Sequence, residues 1–196
     1  MKRTLLMTMA LILSSIITSH AQTKYKADVA GSKINWVGKK VTGEHTGTIN
    51  LASGEFTINN GMIEKGKFEV DMTSIKDVDQ TDEAYRTKLE THLKSDDFFG
   101  VVAYPKATFV IDKPVKIENG ITLVDGKITI KGVTQPIVIK AVFSEGKDGM
   151  RIYATITIDR TKFNVKYGSG SFFENLGDKT IYDEFYLTVS VLAQKQ

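Results

Sequence analysis

The feature that most restricts what this chain can fold into is a two-residue alternation of apolar and polar side chains, recurring in short segments from residue 33 to residue 193. In "KFEVDM" Phe68, Val70 and Met72 fall on one face and Glu69 and Asp71 on the other. "RIYATITIDR" sets Ile152, Ala154, Ile156 and Ile158 against Tyr153, Thr155, Thr157 and Asp159, and "EFYLTVSVLA" sets Phe185, Leu187, Val189 and Val191 against Tyr186, Thr188 and Ser190. A strand shows successive side chains to opposite faces, so each segment is a strand with one apolar face. "NNG" at 59–61, "ENG" at 118–120, "VDG" at 124–126 and "EGKDG" at 145–149 punctuate them with residues that tolerate the positive φ of tight turns. The pattern predicts an all-β, antiparallel protein with strands near 33–40, 45–51, 54–59, 62–72, 106–113, 121–132, 135–145, 150–160 and 182–193. A sheet of that many strands splits into a sandwich or closes into a barrel, and closure removes the aggregation-prone edges.

One segment departs from this period. "TDEAYRTKLETHL", residues 81–93, begins with a capping-type Thr81, carries acids in its first turn and spaces Ala84, Leu89 and Leu93 as a helix would. A short helix between two strands is predicted near residues 81–94. Residues 1–21 read differently again: Lys2 and Arg3, then a short apolar run, then small residues at Ser19 and Ala21, the pattern of a signal peptide cut after Ala21. The run is interrupted by Ser14, Ser15 and Thr18 and is shorter than the roughly 20 apolar residues a membrane span requires. With no cysteine after it, no lipoprotein anchor is expected. Cleavage leaves 196 − 21 = 175 residues, 22–196, which fits one domain with a sizeable core. Removing Lys2 and Arg3 takes the basic residues from 26 to 24 against 23 acids, a net charge of +1, so nothing points to a nucleic-acid surface.

Candidate chemistry is sparse. Beyond residue 21 the chain has His45 and His92 and no cysteine, too few for a His/Cys zinc pattern, and no metal or cofactor is expected. His45 beside Glu44 has the residue types of a base and its orienter, but reads more simply as a strand or turn histidine. Asp71, Asp77, Asp79 and Asp82 do not follow calcium-loop spacing and read as a solvated acidic loop. Asp159-Arg160 ends an otherwise apolar strand; a structural pair is the first reading and contact with a ligand head group the second. "YGSGSFF" at 167–173 lacks the lysine and strand-to-helix setting of a phosphate loop and reads as a loop at a barrel mouth. What remains is a surplus of aromatic side chains, which can pack a small barrel solid or line a hollow one that holds a small apolar ligand. Periodicity does not separate the two.

Five segments, in order, carry a resemblance: "SKINWVGKKVTGEHTGTI", "GKFEVDMTSI", "KLETHLKSDDFFGVVAYPKATF", "VDGKITIKGVTQPIVI" and "TITIDRTKFNV". With the leader in front, the chain resembles the YceI family of exported, polyisoprenoid-binding proteins, and "YGSGSFFENLGDKTIYDEF" resembles the family's longer C-terminal form. The resemblance implies a closed, extended lipocalin-like antiparallel barrel of about eight strands, without catalytic machinery, whose apolar interior holds an isoprenoid or other long amphiphilic lipid for transport, storage or sequestration. The candidate ligand-binding residues are then Trp36, His45, Phe68, Val70, Phe99, Phe109, Phe143, Ile156, Arg160 and Tyr167, with His45, Arg160 and Tyr167 near the polar head. Phe98 and Phe99 would anchor the helix and its turn to the barrel wall, as core wedges or in contact with ligand. A periplasmic or secreted location is expected, without a stable membrane anchor, and exposed edges or the barrel mouth could support a homodimer. Two other readings stay open: an enzyme acting on such a lipid, with His45 as base and Glu44 or Asp71 assisting, and a solid structural barrel.

Overall fold

A computed structural model describes residues 22–196, so the signal-peptide reading lies outside the described residues. Among them the chain forms nine strands: β1 (Thr23–Lys40), β2 (Gly43–Asn59), β3 (Met62–Asp77), β4 (Lys106–Ile111), β5 (Val115–Lys116), β6 (Ile121–Ile130), β7 (Val133–Gly146), β8 (Gly149–Asp159) and β9 (Ile181–Lys195). Neighbours run β2-β1-β9-β8-β7-β6-β4-β3, and pairing of β2 with β3 closes an eight-stranded antiparallel barrel. The two-residue β5 pairs only with Met62 and Ile63 at the start of β3, just beyond β4. Among the described residues no helix is long and apolar enough to cross a membrane.

The alternation places the faces as expected. Ile34, Ile49, Met72, Ala107, Ile111, Ile128, Ile139, Ala141, Ile152, Ile158 and Val191 are buried on the inward face. Tight hairpins form where positive φ is required, for example Asn60 (φ 50°) and Gly61 (φ 74°) between β2 and β3.

Strand boundaries depart from expectation where the ladder is irregular. β1 begins at Thr23 rather than near residue 33. Its pairing with β2 breaks between Lys26 and Ile34. In that gap Gly31 N donates to Asp28 Oδ1 (3.0 Å) and Ser32 Oγ donates to the Asp28 carbonyl (2.6 Å), a bulge that interrupts the alternation. β2 is likewise continuous through Ser53, where a register shift between Leu51 and Ser53 moves the inward parity by one. "VDG" at 124–126 is not a turn but lies within β6. A Cβ at Gly126 would stand 2.6 Å from the Phe109 ring and 2.5 Å from the Val110 carbonyl, so glycine is there for a close approach.

The single α-helix of the described residues, α1 (Glu83–Lys94), is capped by Asp82 rather than Thr81: Asp82 Oδ1 accepts from Ala84 N (2.9 Å) and Tyr85 N (3.0 Å). Ala84 is exposed, and the helix meets the barrel mainly through its later turns. The following turn folds back tightly, with Phe99 N donating to the Leu93 carbonyl (3.2 Å) and Val101 N to that of Lys94 (3.0 Å). That geometry turns both phenylalanines inward.

Candidate functional site: an apolar cavity with a polar mouth

The barrel is hollow. A cavity of about 410 Å³ runs through it, within the roughly 300–1,000 Å³ of small-molecule sites. Its wall is built by the inward residues of all eight barrel strands, nearly all of them aliphatic or aromatic. Water in such a space would lack the two to four polar partners it needs, and an apolar cavity of ~150 Å³ already stays dry and takes up benzene.

One end is shut by apolar packing: Tyr25, paired with Phe56 across β1 and β2, stacks on it at 4.9 Å, and Phe56 in turn lies 6.1 Å from Phe68. Ile63 beside them is 1 % exposed. The polar lining residues gather at the other end, because Lys39 and Lys40 end β1, His45 begins β2, Arg160 follows β8, and Tyr182 and Glu184 begin β9. Pairings Lys40↔Gly43, Lys40↔Ile181 and Asp159↔Glu184 put these positions at one rim. Leu89 and Leu93 of α1, with Phe98 and Phe99, complete the wall there.

Of the sequence candidates, Trp36, His45, Phe68, Val70, Phe99, Phe109, Phe143, Ile156 and Arg160 all line this cavity. Tyr167 does not join them: its ring packs edge-on against His92 (4.5 Å) and at a tilt against Phe98 (5.6 Å), and it is half exposed. The reason is its backbone, since the Tyr167 carbonyl accepts from Arg160 Nη1 at 2.9 Å, which pins the loop and leaves the ring outside. Phe98 and Phe99 both line the cavity; Phe98 is almost fully buried, and Phe99 meets Phe185 edge-on at 6.0 Å. Trp36 lies over Gly47 of the next strand, where a Cβ would stand 2.3 Å from the indole, and Trp36 Nε1 donates to the Thr48 carbonyl (3.2 Å).

Arg160 is 3 % exposed and satisfied almost wholly by main chain. Nε donates to the Tyr182 carbonyl (3.1 Å), Nη1 to those of Val165 and Tyr167 (2.9 Å each), and Nη2 to that of Ile181 (3.0 Å). Asp183 stands 3.6 Å away, and the Phe98 ring lies 5.8 Å from the guanidinium carbon. Burial pulls the guanidinium down from its ordinary value, while Asp183 and Asp159 pull it up. Arg160 is thus a clamp between the end of β8, the loop of residues 164–180 and the start of β9; its acidic neighbour is Asp183 and not the adjacent Asp159, which accepts from Thr161 N (3.0 Å) and Oγ1 (2.6 Å).

His45 keeps different company from that expected. Glu44 pairs with Lys39 (3.4 Å), and Asp71 accepts from Thr73 N (2.9 Å) and Oγ1 (2.6 Å). His45 Nδ1 instead faces Asp79 Oδ2 at 3.1 Å and Asp77 Oδ2 at 3.7 Å. Asp77 is not a solvated loop residue: its side chain is 0 % exposed, and burial pushes its carboxyl above the usual range. At Asp79 burial also pushes upward, but the Thr46 amide, Asp77 and His45 outweigh it and hold the carboxyl below its ordinary value. Both aspartates lie more than 30 residues from His45 in the chain, so no local spacing signals the cluster.

Fold and cavity together define a class, the small antiparallel barrels with a ligand-sized apolar interior. A family profile described as the YceI-like domain matches residues 25–193, and the chain belongs to that family. A UPF0312 protein of Pseudomonas putida strain W619 is 32% identical over 172 residues, covering 80% of this chain and 85% of that one. A UPF0312 protein of Shewanella denitrificans is 33% identical over 121 residues, and the match spans only 61% of either chain's length. Among solved structures, BcnA of Burkholderia cenocepacia superposes with a TM-score of 0.69 at 20% identity, over 86% of this chain and 99% of that one. A polyisoprenoid-binding domain from Saccharophagus degradans gives a TM-score of 0.58 at 13% identity, over 88% and 98%. Both likenesses are likenesses of fold.

Proposed function

We propose that this protein is an exported binding protein that holds one isoprenoid-type or other long amphiphilic lipid in its barrel and carries, stores or sequesters it in the periplasm or outside the cell. The observation that carries the reading is the cavity, about 410 Å³ with a wall almost without polar groups and a polar rim at one end. Burying about ten carbons of a chain there contributes ~8 kcal/mol gross. Ordering and association costs of at least ~4 kcal/mol oppose it, so a long chain is needed for useful affinity. At ~0.8 kcal/mol each, one methylene more or less alters affinity only about fourfold, which suits a carrier for a class of lipids rather than one species. The Saccharophagus domain, described as polyisoprenoid-binding, supports the choice of chemical class.

The chain's single tryptophan, Trp36, is a built-in reporter because it lines the cavity. Titration of delipidated protein with a polyprenyl lipid is expected to shift Trp36 emission to the blue and saturate at one lipid per chain. An emission spectrum that stays unchanged up to excess lipid contradicts the proposal.

A further inference from the structure

The His45, Asp77 and Asp79 cluster has features that the lipid cavity does not explain. The start of β2 and the end of β3 are brought together by the pairing Gly47↔Asp77 and by the bond from Val78 N to the Thr46 carbonyl (3.0 Å). Each carboxylate has one oxygen fixed by a backbone amide: Thr46 N donates to Asp79 Oδ1 (2.6 Å) and Gln80 N to Asp77 Oδ1 (2.8 Å). Their other oxygens face the same imidazole nitrogen, at 3.1 Å and 3.7 Å, and the three donor atoms lie within 4.8 Å of one another. Independently, Asp77 Oδ2 is buried without a hydrogen-bond partner, on a side chain that is 0 % exposed. A buried carboxylate oxygen left open costs free energy unless a cation or proton satisfies it.

We propose that His45 Nδ1, Asp77 Oδ2 and Asp79 Oδ2 form a binding site for one divalent transition-metal cation of the Zn²⁺ class at the barrel rim. One imidazole and two carboxylates are a borderline donor set suited to zinc, whereas Ca²⁺ requires six to eight oxygens. Tetrahedral zinc with bonds of ~2.0–2.2 Å separates its donors by roughly 3.3–3.5 Å, and the distances from His45 fall on either side of that. The amides of Thr46 and Gln80 act as the outer partners that orient ligating carboxylates. Three protein donors leave a fourth position for water or an exogenous ligand. The inference does not depend on which lipid fills the barrel.

Isothermal titration of ZnCl₂ into tag-free, chelator-treated mature protein tests it, with Asp77→Asn, His45→Gln and His92→Gln variants beside the wild type. His92, whose Nε2 lies 3.7 Å from the largely exposed Asp97, is the control for surface binding. Wild type and His92→Gln are expected to bind one zinc with equal affinity, and His45→Gln and Asp77→Asn to bind at least tenfold more weakly. Asp77→Asn keeps the shape of the side chain and removes a buried charge, so its metal-free melting temperature is expected to match or exceed the wild type. Addition of zinc should raise that temperature in the wild type and not in Asp77→Asn. No uptake by the wild type at one equivalent, or uptake unchanged in Asp77→Asn, overturns the site and leaves the two aspartates sharing a proton.

Discussion

An Arg160→Met protein is expected to be less stable than the wild type by about 3–5 kcal/mol, the range seen when one member of a buried charged pair is removed. Methionine fills much of the same volume but leaves the carbonyls of Val165, Tyr167, Ile181 and Tyr182 without their donor. It also removes the cation beside Asp183 Oδ1, which is buried and has no hydrogen-bond partner, while Oδ2 keeps the Ser171 hydroxyl. For a domain of this size each kcal/mol moves the melting temperature by ~2–4 °C, so a fall of roughly 6–20 °C is predicted. Arg160→Lys should recover only a small part, because one ammonium does not reproduce a planar fork spanning four acceptors. Thermal unfolding followed by circular dichroism reads this directly. A melting temperature within 2 °C of wild type for Arg160→Met would show that the loop of residues 164–180 is held by something else.

The second large effect separates a hollow barrel from a filled one. Ala154 lines the cavity at mid-strand, opposite Ala141 on β7 and Val189 on β9, where the wall is made of small side chains. Inserting a ring into a close-packed core costs ~1–3 kcal/mol. In a cavity of about 410 Å³ the ring has space, so Ala154→Phe should leave the melting temperature nearly unchanged. Lipid uptake should suffer instead: displacing about three methylenes of the guest removes ~2.4 kcal/mol, roughly fifty-fold in affinity. Loss of uptake with stability retained is the expected pair of results. Loss of stability with uptake unaltered would mean that the guest lies elsewhere.

These predictions rest on parts of the molecule that the sequence discloses unequally. The inward faces of β3, β8 and β9 were readable because period-two alternation is local, and Phe68, Val70 and Ile156 reach the cavity for that reason. The first half of β1 was hidden by the Asp28–Ser32 bulge, which breaks the same alternation. Gly126 looked like a turn because a glycine needed for close approach to Phe109 has the same letter as one needed for positive φ. Asp77 reads as solvated because charge implies exposure unless a distant partner is known, and His45 is brought to it only by the β2–β3 pairing. Hollowness was not readable at all. It depends on how far the eight strands stand apart, and the same inward-facing residues could pack a narrower barrel solid.

The account stands on the cavity having a lipid as its natural occupant, and native mass spectrometry of the protein, purified without detergent and compared with the same sample denatured, tests that most directly. A bound mass that disappears on denaturation and steps in five-carbon units is the predicted result. Protein that carries no adduct and also fails to take up added polyprenyl lipid would contradict it.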